Sequence, residues 1–394
     1  LDRLRTALAE RYRIERELGQ GRWSGGELLR GTTKSPAGSP AGGSCGKSRS
    51  LSMTEVRMPR TVLRRVAPAV LLLLSPAALA AQPAADAKLA GLQAELGRLA
   101  AIAYGSVGVG IVHLESGREL YLNGDERFPM ASTFKVPIAL TLFDLVDKGR
   151  IRLDSMVTLK PSDLHPGSGT LSNLLDDPGV SLSLLNLTEL MLLISDNSAT
   201  DLVLKAVGGG PAVNARLASL GVQGISVNRP TIELIANAFG IRALPPEPEQ
   251  TLTGFGTLVR GVPDSAQAAA RDAFYRDPRD TATPRGMARL LTRLWRKEAL
   301  SAASSDRLLD IMFRCETGAL RIKGLLPPGI RVAHKTGTLN FGVTNDVGII
   351  ELPDGAGHVV LTVFVKEARA NSEAQERTIA QIGRAVYDYF LFNR

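Results

Sequence analysis

A serine and a lysine stand three residues apart in the stretch FPMASTFKVPIAL, where Ser132 and Lys135 open an apolar run. A serine hydroxyl is a weak nucleophile at neutral pH and needs a base beside it. On a helix, residues three apart share a face, so the amine can reach the hydroxyl. If burial and nearby positive charge hold the lysine neutral, it can take the serine proton. A helix N-terminus adds free backbone N–H groups and the positive end of the dipole, and both favour an oxyanion beside the serine. Pro137 falls in the first turn, where proline is tolerated. The spacing alone is weak evidence. Ser44 and Lys47 repeat it in a Gly/Ser-rich stretch where nothing else suggests chemistry, and Lys135 read blandly is a solvated surface residue.

Two further stretches carry groups that would complete such a site. In ISDNSAT, Ser195, Asp196 and Asn197 interrupt an apolar, helix-like pattern. These residue types favour capping turns. Read chemically, Ser195 can relay a proton between the lysine and a leaving nitrogen, and Asn197 can hold a substrate amide with its donor and acceptor together. In AHKTGT, a strand-like run carries Lys335, Thr336, Gly337 and Thr338. A strand lysine next to a glycine presents a point charge beside bare backbone. A substrate carboxylate can meet the ammonium, and a substrate amide can pair along the strand edge. The Thr338 N–H is then a second oxyanion donor. The bland reading is an exposed strand edge. His334 has no partner in sequence and is assigned a structural role.

The elements that must position these groups follow from periodicity. Leu89, Leu92, Leu96 and Leu99 recur at helical spacing. VGVGIVHLES and RELYLNGDER predict two strands joined at Ser116–Gly117. A helix is predicted from near Ser132 to about Lys148, and a helical pair over NLTELMLLISDNSATDLVLKAVGG, stopped by Gly208 to Gly210. Another helix is predicted over GMARLLTRLWRKEAL. Three successive strands follow over RVAHKTGTL, NDVGIIELP and HVVLTVFVKE, and then a closing helix. Strands at both ends with helices between predict one sheet assembled from distant segments, helices on its faces, and an inserted helical lobe. The site is expected in the cleft between the lobes.

The chain has 394 residues and a formal net charge of +8. All of that excess lies in residues 1–81, with 14 basic against 6 acidic residues; the remainder is balanced. The body therefore has no electrostatic footprint for nucleic acid. From Met53, the basic residues Arg57, Arg60, Arg64 and Arg65, the apolar run Val66 to Leu74 and the small-x-small pattern Ala78-Leu79-Ala80 predict a signal peptide over 53–81. Cleavage is expected near Ala80 or Ala81, giving a periplasmic protein without a stable membrane anchor. Residues 1–52 are read as a disordered, non-native leader or gene-junction remnant. Ala7 to Gly21 resembles the opening of bacterial Ser/Thr kinases, but Ser24 stands where the third loop glycine belongs. AGGSCGKS is only a partial phosphate loop. Of two cysteines, Cys45 lies in this leader and Cys315 in the body, so the mature chain is expected to carry no internal disulfide.

In this order, the three motifs resemble the penicillin-recognising serine enzymes, and the chain looks most similar to class A β-lactamases and related serine hydrolases. The resemblance spans about Ala85 to Arg394 and includes DPRDTATP, Asp277 to Pro284. It implies an α/β (α+β) fold: an antiparallel sheet flanked by helices (85–130 and 284–394), with an all-α lobe (about 131–283) inserted, within a catalytic domain 82–394. It implies that Ser132 is acylated, Lys135 activates it, Ser195 and Asn197 line the cleft, and Lys335, Thr336, Gly337 and Thr338 bind the substrate carboxylate and complete the oxyanion hole. No cofactor or metal is expected. The expected partner is a small β-lactam or a peptidoglycan-peptide-like substrate, met by a monomer. The pattern departs from the family at the deacylating base. A glutamate two residues after the loop arginine is implied, but Arg229 is followed at that spacing by Thr231, and the loop runs on to Asp280. Glu233 is the nearest carboxylate, with Glu247 and Glu249 beyond, and Glu233 read blandly is a helix-surface residue. Arg229 and Asp280 are expected to close the loop as an ion pair. Without a base, the acyl-enzyme would persist, as in a D-alanyl-D-alanine peptidase or esterase-like hydrolase.

Overall fold

Strand-forming runs from the two ends of the chain meet in one sheet. The computed structural model describes residues 77–393, position 178 apart. The leader and most of the expected signal peptide lie outside these residues. The first described helix, α1 (Ala77–Ala100), spans the expected cleavage point. A hairpin of β1 (Ser106–His113) and β2 (Glu119–Leu122) follows, then β3 (Phe128–Pro129), a 3-10 turn at Ala131–Phe134 and α2 (Lys135–Asp147). The middle of the chain supplies β4 (Met156–Thr158), the one-turn α3 (Leu171–Leu174), β5 (Ser181–Ser183), α4 (Leu184–Leu193), α5 (Asn197–Ala206) and α6 (Gly209–Ser219). Next come α7 (Thr231–Ala238), α8 (Leu252–Arg260), α9 (Asp264–Arg276), β6 (Thr281–Ala282), α10 (Pro284–Trp295) and α11 (Ala302–Phe313). The chain closes with β7 (Val332–Leu339), β8 (Val343–Glu351), β9 (His358–Lys366) and α12 (Ser372–Phe392). None of the described helices is long and apolar enough to cross a membrane.

The sheet runs β2-β1-β9-β8-β7 and every pairing is antiparallel. Its outer face carries α1 and α12. The leucines at helical spacing, Leu92, Leu96 and Leu99, meet Val107, Val109 and Ile111 of β1 and Ile382 and Val386 of α12 in one buried cluster. Each such side chain contributes about 1.5–3 kcal/mol on leaving water. On the inner face, β1 offers glycines instead. A Cβ on Gly108 would come within 2.4 Å of the Phe128 ring, and one on Gly110 within 2.7 Å of the Pro284 carbonyl. Their bareness lets α10 lie close against the strand. That helix starts where the sequence says it should, with Thr283 capping the Gly286 N–H and Pro284 in the first turn.

Behind this inner face, Ile138 and Leu142 of α2 pack with Met191 of α4, Val203 of α5 and Leu217 of α6 in the larger core. Three features differ from the sequence-based expectation. The helical lobe contains a small ribbon, β4 paired with β5, since three residues on each side are too few to show a period-two pattern. The lobe also takes α11 from beyond residue 283, which packs on α2 and α4 as well as on β7. The stretch from Arg229 to Asp280 is largely helical, α7 to α9, with two small apolar clusters of its own around Phe255 and Phe274.

Candidate active site

Ser132 sits in the 3-10 turn that leads directly into α2, and the Lys135 N–H donates to the Ser132 and Thr133 carbonyls. The turn is held from two sides. Asn345 Nδ2 donates to the Pro129 and Met130 carbonyls at 2.9 and 3.0 Å, and the Met130 N–H donates to the Asp280 carbonyl at 3.0 Å. Gly337 faces it across a close contact. A Cβ there would lie 2.6 Å from the Met130 carbonyl oxygen and 3.0 Å from the Ser132 nitrogen, so only glycine lets β7 approach the nucleophile's own amide. β7 is the edge strand, and an edge leaves alternate backbone groups without a strand partner. Ser132 and Thr338 line the same cavity, of about 920 Å³.

Two lysines are fully buried and share one hydroxyl. Lys135 Nζ donates to Ser195 Oγ at 3.1 Å, to the Ser195 carbonyl at 2.7 Å and to Asn197 Oδ1 at 3.0 Å. Lys335 Nζ donates to the same Ser195 Oγ at 3.0 Å and to the Thr336 carbonyl at 2.8 Å. Burial, and then the Lys335 charge, hold the Lys135 amine well below the usual lysine range, while Asp196 and Asp201 pull the other way. Burial also brings Lys335 down to about 8, opposed by Cys315 and Asp346 and helped by Arg321. Two buried ammonium groups on one hydroxyl oppose each other's charge, and a lysine in that position becomes a base. Lys135 is hydrogen-bonded to Ser195 and Asn197 rather than to the Ser132 hydroxyl, so proton transfer from Ser132 requires the amine or the hydroxyl to turn.

Ser195 stands at φ 63°, in the left-handed region where a non-glycine residue carries about 1–3 kcal/mol of strain. Its neighbour holds it there. Asp196 caps α5 through Ala199 N–H and also accepts from the Thr170 and Leu171 N–H groups. The capping role falls to Asp196, while its neighbours Ser195 and Asn197 bond Lys135. Asn197 Nδ2 donates to the Pro166 carbonyl at 2.8 Å, which fixes its amide with the oxygen toward Lys135.

The structure brings Ser132, Lys135, Ser195, Asn197 and the strand Lys335–Thr336–Gly337–Thr338 together. It also forms the Arg229–Asp280 pair, with Nε to Oδ2 at 2.6 Å and both groups buried. Asp280 Oδ1 accepts the Asn228 and Arg229 N–H groups as well. Glu233 is not brought to Ser132. On α7, Thr231, Leu234, Ile235 and Ala238 face the Ser132 cavity, at helical spacing. Glu233 is exposed on the other side and lines a separate cavity of about 770 Å³ with His165, Asp201, Lys205 and Arg279. Glu247 is ion-paired with Lys205 and Glu249 lines a third recess. No aspartate or glutamate lines the Ser132 cavity among the described residues.

Sequence reasoning missed Arg321 and Asn345. Arg321 is buried. Its Nη1 donates to the Gly337 and Asn345 carbonyls at 3.1 and 2.9 Å, and its Nη2 donates to Thr338 Oγ1 at 2.7 Å. It therefore sets the backbone and hydroxyl of the very residues expected to meet the substrate carboxylate. Neither residue lies in a local motif: Asn345 is placed by β8 pairing with β7, and Arg321 by the segment before β7 folding back onto Gly337 and Thr338. Next to Lys335, His334 is buried with Nδ1 2.9 Å from Asp346. Burial works against charge on both neighbours, yet Asp346 brings His334 up to about 9, and the His334 imidazole brings the Cys315 thiol down to about 6.

This geometry has close counterparts. Residues 91–390 match the model of a family described as the β-lactamase enzyme family. The β-lactamase VEB-1 of Pseudomonas aeruginosa is 30% identical over 292 residues, covering 72% of this chain and 85% of that protein. The extended-spectrum β-lactamase PER-1 of the same organism is 29% identical, covering 73% and 83%. Among solved structures, a β-lactamase from Chitinophaga pinensis superposes with a TM-score of 0.62 at 30% identity over 76% of this chain and 98% of that one. An ancestral class A β-lactamase gives 0.62 at 31% identity over 75% and 99%. With its sheet, helical lobe and three motifs in the family's order, the chain belongs to the β-lactamase enzyme family as a class A-like serine hydrolase.

Proposed function

We propose that the protein opens the amide of a β-lactam by acylating Ser132 and then hydrolyses the ester. The observation that supports this most is the Ser195 hydroxyl shared by two buried lysines, one of them Lys135, three residues from Ser132. In the proposed mechanism, neutral Lys135 takes the Ser132 proton as Oγ attacks the carbonyl carbon. The Ser132 and Thr338 N–H groups receive the oxyanion. Ser195 passes a proton to the departing nitrogen, and the C–N bond breaks. Lys335, as an ammonium, meets the substrate carboxylate, with Thr338 oriented by Arg321.

One observation favours a second reading for the second step. With no carboxylate lining the Ser132 cavity among the described residues, an ester on Ser132 has no obvious base for its attacking water. The enzyme would then behave as a peptidase- or esterase-like acyl-transferring hydrolase with slow deacylation. Mixing the purified protein with a chromogenic cephalosporin, and following turnover together with adduct mass, separates the two. Sustained turnover supports the β-lactamase. A burst of one equivalent with a lasting adduct supports slow deacylation. Ser132→Ala is expected to abolish the adduct, and an adduct that survives it would place the nucleophile elsewhere. We also read residues 53–81 as an export signal that delivers the enzyme to the periplasm; intact-mass measurement of the native N-terminus tests this.

A further inference from the structure

α7 has a cavity on each of two faces. Thr231, Leu234, Ile235 and Ala238 line the Ser132 cavity. Ile232, Glu233, Ala236 and Asn237 line the other cavity, of about 770 Å³. Beside that second cavity lies an apolar recess of about 430 Å³, walled by Leu164, Phe255 and Leu258. The two spaces adjoin, since Ile232, Leu244 and His165 line both.

His165 is built into this junction. It is only 7% exposed. Its backbone N–H donates to Ser198 Oγ at 2.8 Å, and its Nδ1 is buried 2.9 Å from Asp201 Oδ2. The ring therefore meets the cavities with the edge that carries Nε2, which has no hydrogen-bond partner among the described residues. Burial works against charge on the imidazole, but the Asp201 carboxylate raises it above the ordinary histidine range. A protonated ring offers Nε2–H as a donor, and the group that answers it is an acceptor. On the same wall, Lys205 and Arg279 are matched by Glu247 and Asp277. Arg242 is exposed and forms no ion pair among the described residues. Glu233 is the acid of this wall with neither an ion pair nor a hydrogen bond among the described residues, and it opposes a second negative charge on any occupant.

The junction is tied to the catalytic side. The Thr231 and Ile232 N–H groups donate to Asp201 at 2.6 and 3.0 Å, so the carboxylate paired with His165 also holds the first turn of α7. The next residue, Pro166, accepts from Asn197 Nδ2 at 2.8 Å.

We infer that the adjoining cavities behind α7 are a second ligand site, which takes a free amphipathic monocarboxylate with its carboxylate on His165 and Arg242 and its apolar body in the recess, and which alters acylation at Ser132 through α7. Binding at this site stands apart from the assignment of Ser132; only the effect on acylation rests on it. The expected coupling is at least about fivefold in the acylation rate constant, the low end of the range for linked sites.

The test uses octanoate, with octanol and octylammonium as controls of equal chain length. The chain has four histidines, so His165→Gln identifies the His165 ring signal in the NMR spectrum of the full chain. Octanoate is expected to shift that signal saturably. Both controls should bind at least about tenfold more weakly, the scale of a hydrogen bond to a charged group. Calorimetry is expected to show the same loss in His165→Gln and in Arg242→Gln, the second of which removes only an exposed charge. Octanoate should still bind once Ser132 carries an adduct. No saturable shift up to about 10 mM, ten times a Kd of about 1 mM, overturns the site. Equal binding of octanol, or an unchanged affinity in both variants, overturns it as well. Binding that an adduct on Ser132 abolishes would put octanoate in the Ser132 cavity and end the proposal. Binding that leaves the acylation rate constant unaltered overturns the coupling through α7. If Ser132 forms no adduct at all, the acylation reading fails, while the octanoate titration still decides the site.

Discussion

Lys135 and Lys335 share a serine hydroxyl, and their different protonation suits them to different parts of the proposed mechanism. Lys135, pushed well down by burial and by its neighbour's charge, is suited to accept a proton. Lys335, brought only to about 8, is ammonium at neutral pH and can pair with a carboxylate. If Lys335 meets the substrate carboxylate as proposed, the hold is present while it is protonated and lost as pH rises through about 8. We therefore expect kcat/KM for an anionic substrate to fall on the alkaline side with a midpoint near 8. Lys335→Arg should remove that limb, because a guanidinium stays charged. The neighbouring thiol refines this expectation. Burial works against a charge on Cys315 but the His334 imidazole lowers its thiol, and negative charge there supports the Lys335 charge. Cys315→Ser removes that negative charge, so the alkaline midpoint should move to lower pH. A pH–rate profile of the variant that stays in place, or moves upward, would contradict the assignment.

At the scale of elements, two contacts hold the serine turn. Gly337 brings β7 to within van der Waals range of the Ser132 amide, and the atoms a Cβ would strike are backbone, which cannot swing aside. Gly337→Ala is expected to displace β7 from the nucleophile and lower the acylation rate about 100-fold, the cost of a misplacement of about 1 Å. Single-turnover acylation kinetics measure it. The second contact is the Arg229–Asp280 clasp, which closes the segment carrying α7 to α9 and, through the Asp280 carbonyl and Met130 N–H, reaches the serine turn. Arg229 also reaches Asp277 and Asn237 and lies over the Phe274 ring at 5.3 Å. Arg229→Ala leaves the Asp280 carboxylate buried with only backbone partners, and breaking a buried pair in this way costs about 3–5 kcal/mol. Urea unfolding of the variant should show a loss of that size, and an unchanged midpoint would remove the clasp from the account.

For the molecule as a whole, the wall that α7 to α9 give the Ser132 cavity carries no carboxylate among the described residues. α7 turns Thr231, Leu234, Ile235 and Ala238 toward Ser132 and Glu233 away, so the helix's own geometry makes the near wall apolar. Thr231 occupies the position two residues after Arg229, where the resemblance implies a glutamate. Thr231→Glu is expected to shorten the lifetime of the Ser132 adduct at least about tenfold, within the range that a positioned general base supplies. Adduct decay by mass spectrometry checks this. The backbone of Thr231 is already fixed, its N–H donating to Asp201 at 2.6 Å, so the new carboxylate would start from an anchored helix turn.

Much of this was legible in the chain of residues. Leu92, Leu96 and Leu99 announced α1 because a helix has one buried stripe, and the strands β7 to β9 showed as apolar runs bounded by turn residues. Ser132, Lys135, Ser195, Asn197 and Lys335 were singled out by three short motifs whose order resembles the family's, and the structure brings those motifs to one place. The Arg229–Asp280 pair was found through resemblance, although 51 positions separate its members. What the sequence could not supply depends on contacts between distant segments. Asn345 became a site residue because β8 pairs with β7, and Arg321 because the segment before β7 folds back to place its guanidinium on Gly337 and Thr338. Glu233 lost its candidacy because a rotation of one helix about its axis decides which of two cavities a side chain enters. The cavity that Ser132 lines is closed by side chains of α7, α8 and the turn after β7, which lie far from Ser132 in sequence. Sequence fixes local chemistry through spacing along one backbone, whereas the direction each side chain faces is settled by packing, in which every element is positioned by all the others.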